Sequence, residues 1–392
     1  MNKRLSIIPL IAVVLLLLCS CGGGSTTAAV SGGDTVRFKY AERLTVVKYD
    51  GYTVATLADP WNKGRTLHSY ILIPDTAKAG TRTDRKGLTK SLRAQTGTAV
   101  TVVHTPLKRT VVASSVYCGL LISLGKGDAI RGVCDLKYIN QPWIKEQCRL
   151  GRIADCGDAS TPTLEKIIDI NADAILISPF QNSGGYGRLD EWGNPIIETA
   201  DYMETSALGR AEWMKFYGML FGVEDKADSM FNDIEKRYNE LVKLARTSTV
   251  SKSVLVDKIA GPVWYVPGGR STLGRVIADA NAEYPFSTDN NSGSLQLTFE
   301  TVLTKAGNAD VWLLRYDGKN PLTYPTLLSE NQGYSQFKAF KERQVYGCNT
   351  STSTFYEDTP FNPDLLLRDI IIITHPDLSG LGSTRYFKKV TK

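Results

Sequence analysis

Histidine is scarce in this chain of 392 residues, which contains only His68, His104 and His375. These three residues are far apart in the sequence, so a three-histidine site for zinc or manganese is not indicated. The seven cysteines include no Cys-x-x-Cys pair, which argues against a zinc ribbon and against a thioredoxin-like redox motif. We therefore predict neither a metal site nor a cofactor.

Sequence motifs of common enzyme classes are also missing. The chain has no Gly-x-Ser-x-Gly elbow, no His-Glu-x-x-His and no Gly-x-x-x-x-Gly-Lys-Ser/Thr loop. The scattered histidines offer a hydrolase little as a general base. The net charge of +6 is small and dispersed, and no basic run is interleaved with aromatic residues. We therefore predict that the protein is not an enzyme and that nucleic acid is not a partner.

Long apolar runs occur only at the N-terminus. A basic region at residues 2–4 precedes an apolar stretch that is too short to cross a bilayer, which takes about 20 residues. This pattern is typical of a secretory signal peptide, which we predict for residues 1–20. Its end, Leu18-Cys19-Ser20-Cys21, resembles a bacterial lipobox, and the resemblance implies diacylation of Cys21. The alternative is an ordinary secretory cleavage that happens to lie beside a cysteine.

The segment 21–33 is rich in Gly, Ser and Thr and is predicted to be a flexible tether between the lipid anchor and the folded body. The predicted location is therefore the cell envelope, on the periplasmic side of the membrane and attached to it by lipid. Five cysteines follow the tether, and the sequence leaves open whether they form one or two disulfides or remain buried thiols: Cys118, Cys134, Cys148, Cys156 and Cys348.

Two distant segments of the chain follow nearly the same pattern. Residues 163–176 and 298–313 both read Thr, apolar, Glu, any residue and two aliphatics, followed after a short gap by Asn-Ala-Asp and a hydrophobic run. Each copy predicts a short helix that leads into a buried strand. A duplicated unit indicates two similar lobes, each with an acidic residue at the start of a helix.

The rest of the chain is divided by its patterns into four stretches. Residues 34–107 are predicted to be rich in strands, with a hairpin turn at Asp50-Gly51. Residues 108–205 and 250–392 alternate aliphatic strands with helices, as parallel sheets covered on both faces do. Residues 206–249 show apolar residues at helical spacing over about 40 positions, which predicts a long spacer helix whose aromatic stripe belongs to the core.

The order of these stretches resembles that of class III solute-binding proteins of ABC importers, the family that binds ferric siderophores, heme or cobalamin. The resemblance covers residues 108–378, and the strand-rich extension matches a lipid-anchored subgroup. It implies an α/β fold with two Rossmann-like lobes joined by a long α-helix. The segments that carry it are 111–125, 157–173, Leu208-Gly209-Arg210-Ala211-Glu212-Trp213, Pro267-Gly268-Gly269-Arg270 and Phe299-Glu300-Thr301-Val302.

The resemblance also implies a function. Such a protein captures a small-molecule metal chelate in the cleft between its lobes and delivers it to a permease and its ATPase. An iron complex is favoured, because arginines are available to an anionic ligand whereas cysteine and histidine ligands are few. Heme, for which a tyrosine could be an axial ligand, and cobalamin remain alternatives, and so does a lipoprotein without a transport function.

The repeated glutamate acquires a role from the same resemblance. In relatives, one surface glutamate on each lobe docks onto arginine pockets of the permease, and Glu165 and Glu300 occupy the matching positions. A carboxylate near a helix N-terminus is stabilised there. The alternative is that both residues serve only as helix N-terminal charges.

Ligand contacts are predicted on loops at the C-terminal ends of the strands, which face the cleft in such folds. Arg270, which precedes a predicted helix, is the preferred anion contact. An exposed loop arginine at 270, a structural ion pair at Arg315 and a core position for each aromatic residue are the alternatives. The candidates are Tyr117, Tyr138, Trp143, Phe180, Tyr186, Trp264, Tyr265, Arg270, Arg315, Tyr316 and Tyr356.

Overall fold

The computed structural model describes residues 32–75, 85–181 and 185–391. The predicted signal peptide, Cys21 and most of the predicted tether lie outside the described residues. Among the residues that are described, no helix is both long and apolar enough to cross a membrane.

The N-terminal extension forms a five-stranded sheet in the order β1-β2-β3-β4-β5, with one helix packed on it. Its strands are antiparallel except for β4 and β5, which are parallel. The predicted hairpin at Asp50-Gly51 is confirmed, and Gly51 has the positive φ of 80° that this tight turn requires. The elements are β1 (Asp34–Val36), β2 (Leu44–Tyr49), β3 (Tyr52–Ala58), β4 (Thr66–Pro74), α1 (Arg85–Thr96) and β5 (Val100–Thr105).

The N-terminal lobe is a parallel α/β unit, as predicted. Its sheet has the strand order β10-β9-β6-β7-β8, and the central strands are buried along their whole length, as expected for a sheet covered on both faces. The elements are β6 (Thr110–Val112), α2 (Ser115–Ser123), β7 (Ile130–Val133), α3 (Pro142–Arg149), β8 (Ala154–Asp155), α4 (Leu164–Asp169), β9 (Ala174–Ile177) and β10 (Ile196–Glu198).

The helical connection is divided into three parts, where the sequence predicts a nearly continuous helix. Gly222 adopts the left-handed conformation, with φ 65°, and ends the second part. Phe216 and Tyr217 are fully buried, so the aromatic stripe belongs to the core as predicted. The helices are α5 (Ala207–Glu212), α6 (Met214–Phe221) and α7 (Glu224–Ala245), of which α7 is the long connecting helix.

The C-terminal lobe has a second parallel sheet, in the order β11-β15-β16-β17, with β17 antiparallel, and a small antiparallel sheet β12-β13-β14. The aliphatic residues before His375 are helical, not a strand as their composition suggests. The elements are β11 (Val254–Val256), β12 (Ile259–Ala260), β13 (Val263–Pro267), α8 (Thr272–Asp279), β14 (Ser294–Leu297), α9 (Phe299–Ala306), β15 (Val311–Tyr316), α10 (Tyr324–Glu330), α11 (Lys338–Lys341), β16 (Val345–Asn349), α12 (Phe355–Asp358), α13 (Pro363–Thr374) and β17 (Lys388–Lys389).

The two repeated segments have the same structural role in the two lobes. In each lobe the helix leads into a strand that pairs in parallel with the lobe's first strand. The repeated aspartate connects the two strands just before they begin. Asp173 accepts hydrogen bonds from the backbone of Lys108 and Arg109, and Asp310 accepts one from the backbone of Ser253. The predicted duplication is therefore visible in the structure, and it gives the two glutamates equivalent places.

A short segment of the extension is bound to the helical connection by two fully buried carboxylates. Glu212 accepts hydrogen bonds from the backbone N–H groups of residues 39–41, at 2.7 to 3.0 Å. Glu204 accepts two more from residues 42 and 43. The ring of Tyr40 packs against the cores of both lobes. The extension is thus attached at the junction of the lobes as well as to the N-terminal lobe.

The lobes themselves meet where α2 crosses α12. The backbone N–H of Asn140 donates to the Glu357 carboxylate at 2.6 Å, and the Asn140 amide donates to the carbonyl oxygens of Thr350 and Ser353. Gly119 lies so close to α12 that a Cβ there would overlap the carbonyl oxygen of Glu357. The absence of a side chain at Gly119 therefore permits this contact.

We expect Gly119→Ala to loosen the contact between the lobes. Alanine favours the helix by about 1 kcal/mol, but the overlap with the backbone of α12 costs about 1–3 kcal/mol. The variant should therefore have a lower Tm and a larger radius of gyration by X-ray scattering. Gly318→Ala is the control, because a Cβ there meets only ordinary van der Waals neighbours. An unchanged radius of gyration in Gly119→Ala would show that the lobes do not depend on this approach.

A buried polar cluster joins the extension to the edge of the N-terminal lobe. The Glu198 carboxylate accepts a hydrogen bond from Tyr186 at 2.8 Å and lies 3.2 Å from His68 Nδ1, and the Glu198 backbone N–H donates to the Tyr70 hydroxyl. Burial alone would raise the pKa of Glu198, but the hydrogen bonds from His68 and Tyr186 outweigh it and lower the pKa below the ordinary 4.5.

Glu198 should therefore contribute stability that is present above about pH 4.5 and is lost as the pH falls through its lowered pKa in the folded state. We expect Glu198→Gln to reduce the free energy of unfolding by about 1–3 kcal/mol at neutral pH and by much less under acid conditions. Urea unfolding at both pH values measures the difference. Exposed Glu191, changed to Gln, is the control. An equal loss for Glu198→Gln at both pH values would contradict a role for its charge.

Candidate functional site

A pocket of about 130 Å³ lies between the lobes and is lined by residues of both. The N-terminal lobe contributes Val116 of α2, and the helical connection contributes Arg210 of α5. The C-terminal lobe contributes α8, α12 and the end of β15, where Arg315 lies. The other lining residues are mostly apolar or aromatic, so two arginines supply its positive charge.

Arg210 is held in place from beneath the pocket. Its Nε donates to the Asp201 carboxylate at 2.9 Å, and Asp201 is fully buried. The same carboxylate accepts a hydrogen bond from the Tyr117 hydroxyl at 3.0 Å. The Thr199 hydroxyl in turn donates to the Tyr117 oxygen at 2.7 Å. Because its partners are buried and hydrogen-bonded among themselves, the guanidinium is presented to the pocket in one orientation.

Arg315, the second arginine of the pocket, is also held by a carboxylate. Its Nε donates to Asp257 Oδ1 at 2.9 Å, and its Nη2 pairs with the other oxygen of that carboxylate. Burial disfavours the charge of Arg315, but Asp257 outweighs this effect and raises the pKa. The guanidinium carbon lies 6.0 Å from the ring centroid of Phe355 and 5.9 Å from that of Tyr356. The ion pair that the sequence leaves as the alternative role of Arg315 is present, and Arg315 lines the pocket as well.

Three of the predicted aromatic contacts are exposed, and one of them, Tyr356, lines the pocket. Tyr138, which comes after β7, is 57% exposed, and Phe180, which comes after β9, is 60% exposed. Tyr356 lines the pocket and is 43% exposed. Lys137 lies over the Tyr138 ring at 4.7 Å. Large aromatic surfaces left in solvent, with a cation beside them, suit a ligand that has flat faces and negative charge.

Two predicted ligand contacts are inside the protein. Trp264 is fully buried in the C-terminal lobe, stacked on Trp312 with ring centroids 5.8 Å apart, and donates from Nε1 to the Val256 carbonyl. Tyr117 is buried beneath Arg210, and burial raises the pKa of its hydroxyl. Neither presents a surface to the pocket. Trp264 is a core residue, and Tyr117 supports the site from below.

Other predicted contacts lie elsewhere on the two lobes. Tyr316 points away from Arg315, since neighbouring residues of a strand alternate in direction, and it lines a separate groove. Tyr186 donates to Glu198 at the junction with the extension. Trp143 packs over Gly127, and Tyr265 lies on the outer face of the small sheet. The structure therefore does not bring these four aromatic residues together at the pocket.

Arg270, the preferred anion contact of the sequence, is exposed and lies two residues before Thr272 of the pocket wall. The glycines before it have a packing role. A Cβ on Gly268 would overlap the Asn291 carbonyl oxygen, and one on Gly269 would overlap that of Ser287. Because the N–H groups of Gly268 and Arg270 already donate to nearby carbonyls, this loop is not a phosphate cradle.

Arg210 is not among the ligand contacts that the sequence predicts. It lies in the segment Leu208-Gly209-Arg210, which the sequence indicates only as the start of the spacer helix. The signal that could have indicated it is Asp201, an acidic residue shortly before an apolar helix. An acidic residue that becomes buried needs a cation or several donors as partners, and the nearest arginine in the sequence is Arg210.

Glu165 and Glu300 both lie exposed in the first turn of a helix, α4 and α9 respectively. A hydrogen bond from its own backbone N–H and the ion pair with Arg188 lower the pKa of Glu165. Glu300 has no ion pair with any residue in the described part of the chain. Each lobe therefore presents one carboxylate to solvent at an equivalent position.

The five described cysteines are free thiols. Burial raises the pKa of Cys156 to about 11 and that of Cys348 to about 11, so these two are poor nucleophiles at neutral pH. No cluster of three metal-ligating side chains occurs within residues 32–75, 85–181 and 185–391.

Comparison with known proteins agrees with this architecture. The sequence profile of the periplasmic binding protein family matches residues 111–352. An uncharacterised lipoprotein of Methanocaldococcus jannaschii is 25% identical over 363 residues, which cover 90% of this chain and 84% of the relative.

Solved structures share the fold at low sequence identity. A periplasmic heme binding protein from Pseudomonas aeruginosa superposes with a TM-score of 0.56 at 14% identity, over 73% of this chain and 98% of that one. An ABC-type Fe3+-hydroxamate transport system from Saccharomonospora viridis gives 0.54 at 18% identity, over 68% and 93% of the chains. The two lobes, the expected α/β fold and the matched segment lead to one conclusion: this chain belongs to the periplasmic binding protein family.

Proposed function

We propose that this protein is the substrate-binding lipoprotein of an ABC importer and that it captures an anionic iron chelate between its lobes. The observation that carries the proposal is the pair Arg210 and Arg315, which line the same pocket. Each is anchored by its own carboxylate, Asp201 or Asp257. Pre-oriented guanidinium groups suit carboxylate, catecholate or hydroxamate oxygens, because they can donate two parallel hydrogen bonds.

The size of the pocket limits which part of the ligand it can hold. Sites for whole small molecules usually enclose about 300–1,000 Å³, whereas this pocket has about 130 Å³. We infer that it takes one acidic arm of the chelate, while the ring-bearing part lies over the exposed faces of Tyr138, Phe180 and Tyr356. Arg270, near the mouth, would then act as an additional cation rather than as the main contact.

Relatives support the direction of this proposal. One structural neighbour is named as a heme binding protein and another as part of an Fe3+-hydroxamate transport system, and a sequence relative is named as a lipoprotein. The lipid anchor at Cys21 and the partnership with a permease and its ATPase are parts of the same proposal. A protein that only captures and delivers a cargo needs no catalytic group, and the residues that line the pocket include no nucleophile paired with a base.

Isothermal titration calorimetry tests the proposal. The unacylated chain that begins at Gly22, which retains every described residue, is titrated with ferric catecholate, hydroxamate and carboxylate siderophores, with heme and with cobalamin. We expect submicromolar binding of one anionic iron chelate, with an affinity that falls as salt is added. Binding of cobalamin alone would replace the iron assignment. Binding of none of these compounds would contradict the proposal and favour a lipoprotein without a transport function.

A further inference from the structure

The helix α1 has a basic face that forms no ion pair with the residues that the structure describes. Its 12 residues include no acidic residue. Lys86, Lys90 and Arg93 recur at spacings of four and three, so they share one side of the helix. All three are exposed, and none has an ion pair with a residue in the described part of the chain.

The opposite side of α1 explains why this face points outward. Leu88 and Leu92 pack onto Ile71 and Ile73 of β4. The alternate residues of the same strand, Tyr70 and Leu72, belong to the core that the sheet shares with the N-terminal lobe. Since neighbouring strand residues point to opposite faces, α1 covers the face of the sheet that is turned away from both lobes. Its cations are therefore not available to the cargo pocket.

The like charges on this face destabilise the helix that carries them. Like charges at spacings of three or four residues destabilise a helix, and no acidic residue within α1 offsets them. Together with Thr89 of the same helix and Val102 of the edge strand β5, these three side chains line a concave surface of about 410 Å³, whose lining consists mainly of the apolar stems of the side chains. A surface with this charge is complementary to a dense array of negative charge.

We propose that the basic face of α1, formed by Lys86, Lys90 and Arg93, binds the anionic lipid headgroups of the membrane to which the protein is tethered. This inference rests on the lipid anchor that belongs to the proposed function. β1 begins 13 residues after Cys21, and a Gly/Ser-rich linker of that length has an r.m.s. span of about 20 Å. The sheet from β1 to β5 is about 19 Å wide, so α1 lies within reach of the bilayer.

Docking would hold the extension against the membrane and so restrict the orientations of the lobes above it. Each basic residue near an anionic surface strengthens binding by about fivefold, and the attraction extends only over about a Debye length. Three residues together therefore increase the affinity for an anionic surface by about 100-fold. A lipid anchor combined with a basic patch is also a more stable attachment than either alone.

Vesicle co-sedimentation of the unacylated chain from Gly22 tests the proposal without interference from the anchor. We expect binding to phosphatidylcholine vesicles that contain phosphatidylglycerol and no binding to pure phosphatidylcholine. The triple variant Lys86→Gln, Lys90→Gln and Arg93→Gln should bind about 100-fold more weakly. Glutamine is a good helix former, and circular dichroism confirms that α1 is retained.

A matched control removes the same charge from another place. Lys319, Lys388 and Lys389 line a groove on the C-terminal lobe, and changing these three to Gln should leave vesicle binding unchanged. Equal weakening by both triple variants would show that only net charge matters and would overturn the proposal. So would an absence of binding to the anionic vesicles.

Two further measurements distinguish lipid binding by α1 from a phosphate-binding site and from cargo binding. Inorganic phosphate should release the protein from vesicles no better than sodium chloride of equal ionic strength, and selective release by phosphate would identify a phosphate site instead of a lipid surface. Cargo titration of the same α1 variant should give unchanged affinity. If no cargo binds at all, the vesicle result still stands, so the two proposals can fail independently.

Discussion

Replacing Arg210 and Arg315 together with glutamine should lower the affinity for the anionic cargo about a thousandfold. Each charge-assisted hydrogen bond to a ligand contributes about 1.5–3 kcal/mol, which is about 10- to 100-fold for each arginine. The two arginines line one pocket, so an acidic group that contacts both would lose both contacts. Calorimetric titration of the chelate identified for the unaltered protein measures the loss.

Each arginine also neutralises a carboxylate of the protein. The variants must therefore distinguish a loss of ligand binding from a loss of stability. Removing Arg210 alone leaves the fully buried Asp201 without its cation, which costs about 3–5 kcal/mol when a buried pair is broken. The paired variants Asp201→Asn with Arg210→Gln, and Asp257→Asn with Arg315→Gln, avoid an unmatched charge. Each pair should keep a cooperative thermal transition and still bind the chelate at least tenfold more weakly.

Arg270→Gln is the matched control for these variants. This residue is exposed and has no ion pair among the residues that the structure describes, so its loss should weaken binding by less than about fivefold, as for a surface charge. If Arg270→Gln abolished binding while the paired variants did not, the main anion contact would be at the mouth of the cleft. The assignment of the inter-lobe pocket would then be wrong.

Changing Glu165 and Glu300 together to alanine should abolish uptake and leave cargo affinity unchanged. The two carboxylates occupy equivalent places at the helix starts of the repeated units, one on each lobe and both exposed. A permease that binds both residues is sensitive to the distance between the lobes. Charge pairs across such an interface set the orientation of the two proteins and the rate at which they associate. Uptake of labelled chelate by cells that carry the importer, beside titration of the purified variant, measures the two effects separately.

Glu191 and Glu283 provide the control for the docking pair. They are also exposed, one on each lobe, but they lie outside the repeated units, and their change to alanine should leave uptake intact. The ion pair between Glu165 and Arg188 is exposed, so its loss should change stability by less than about 1 kcal/mol. Normal uptake by the Glu165 and Glu300 variant would remove the docking assignment, and lost cargo affinity would place these residues at the ligand instead.

The end of the helix at Gly222 and the burial of Trp264 cannot be predicted from local sequence patterns, for the same physical reason. The apolar period continues across Gly222, so the pattern alone cannot show that the helix ends there; the left-handed conformation of Gly222 ends it. Trp264 and Tyr265 are adjacent aromatic residues, yet Trp264 is buried and Tyr265 is 45% exposed. Which of two adjacent strand residues points inward is decided by the sheets and helices that pack on the strand.

The sequence by itself determined the features that depend on local pattern. The repeated units predicted two similar lobes, aliphatic runs predicted parallel sheets, and Asp50-Gly51 predicted a hairpin, because each signal lies within a few residues. Taken together, these local features were sufficient to indicate the family. The secretion signal and the lipid anchor at Cys21 are sequence predictions of the same local kind, and they lie outside the described residues.

Only the tertiary structure decided which residues form the pocket. Arg315 pairs with its carboxylate partner Asp257 across 58 positions of sequence, and Arg210 and Arg315 line one pocket although they are distant in the chain. The outward direction of the basic face of α1 likewise depends on which side of the sheet the lobe covers. Such placements result from packing between distant segments, so a local period or spacing in the sequence is not sufficient to assign them.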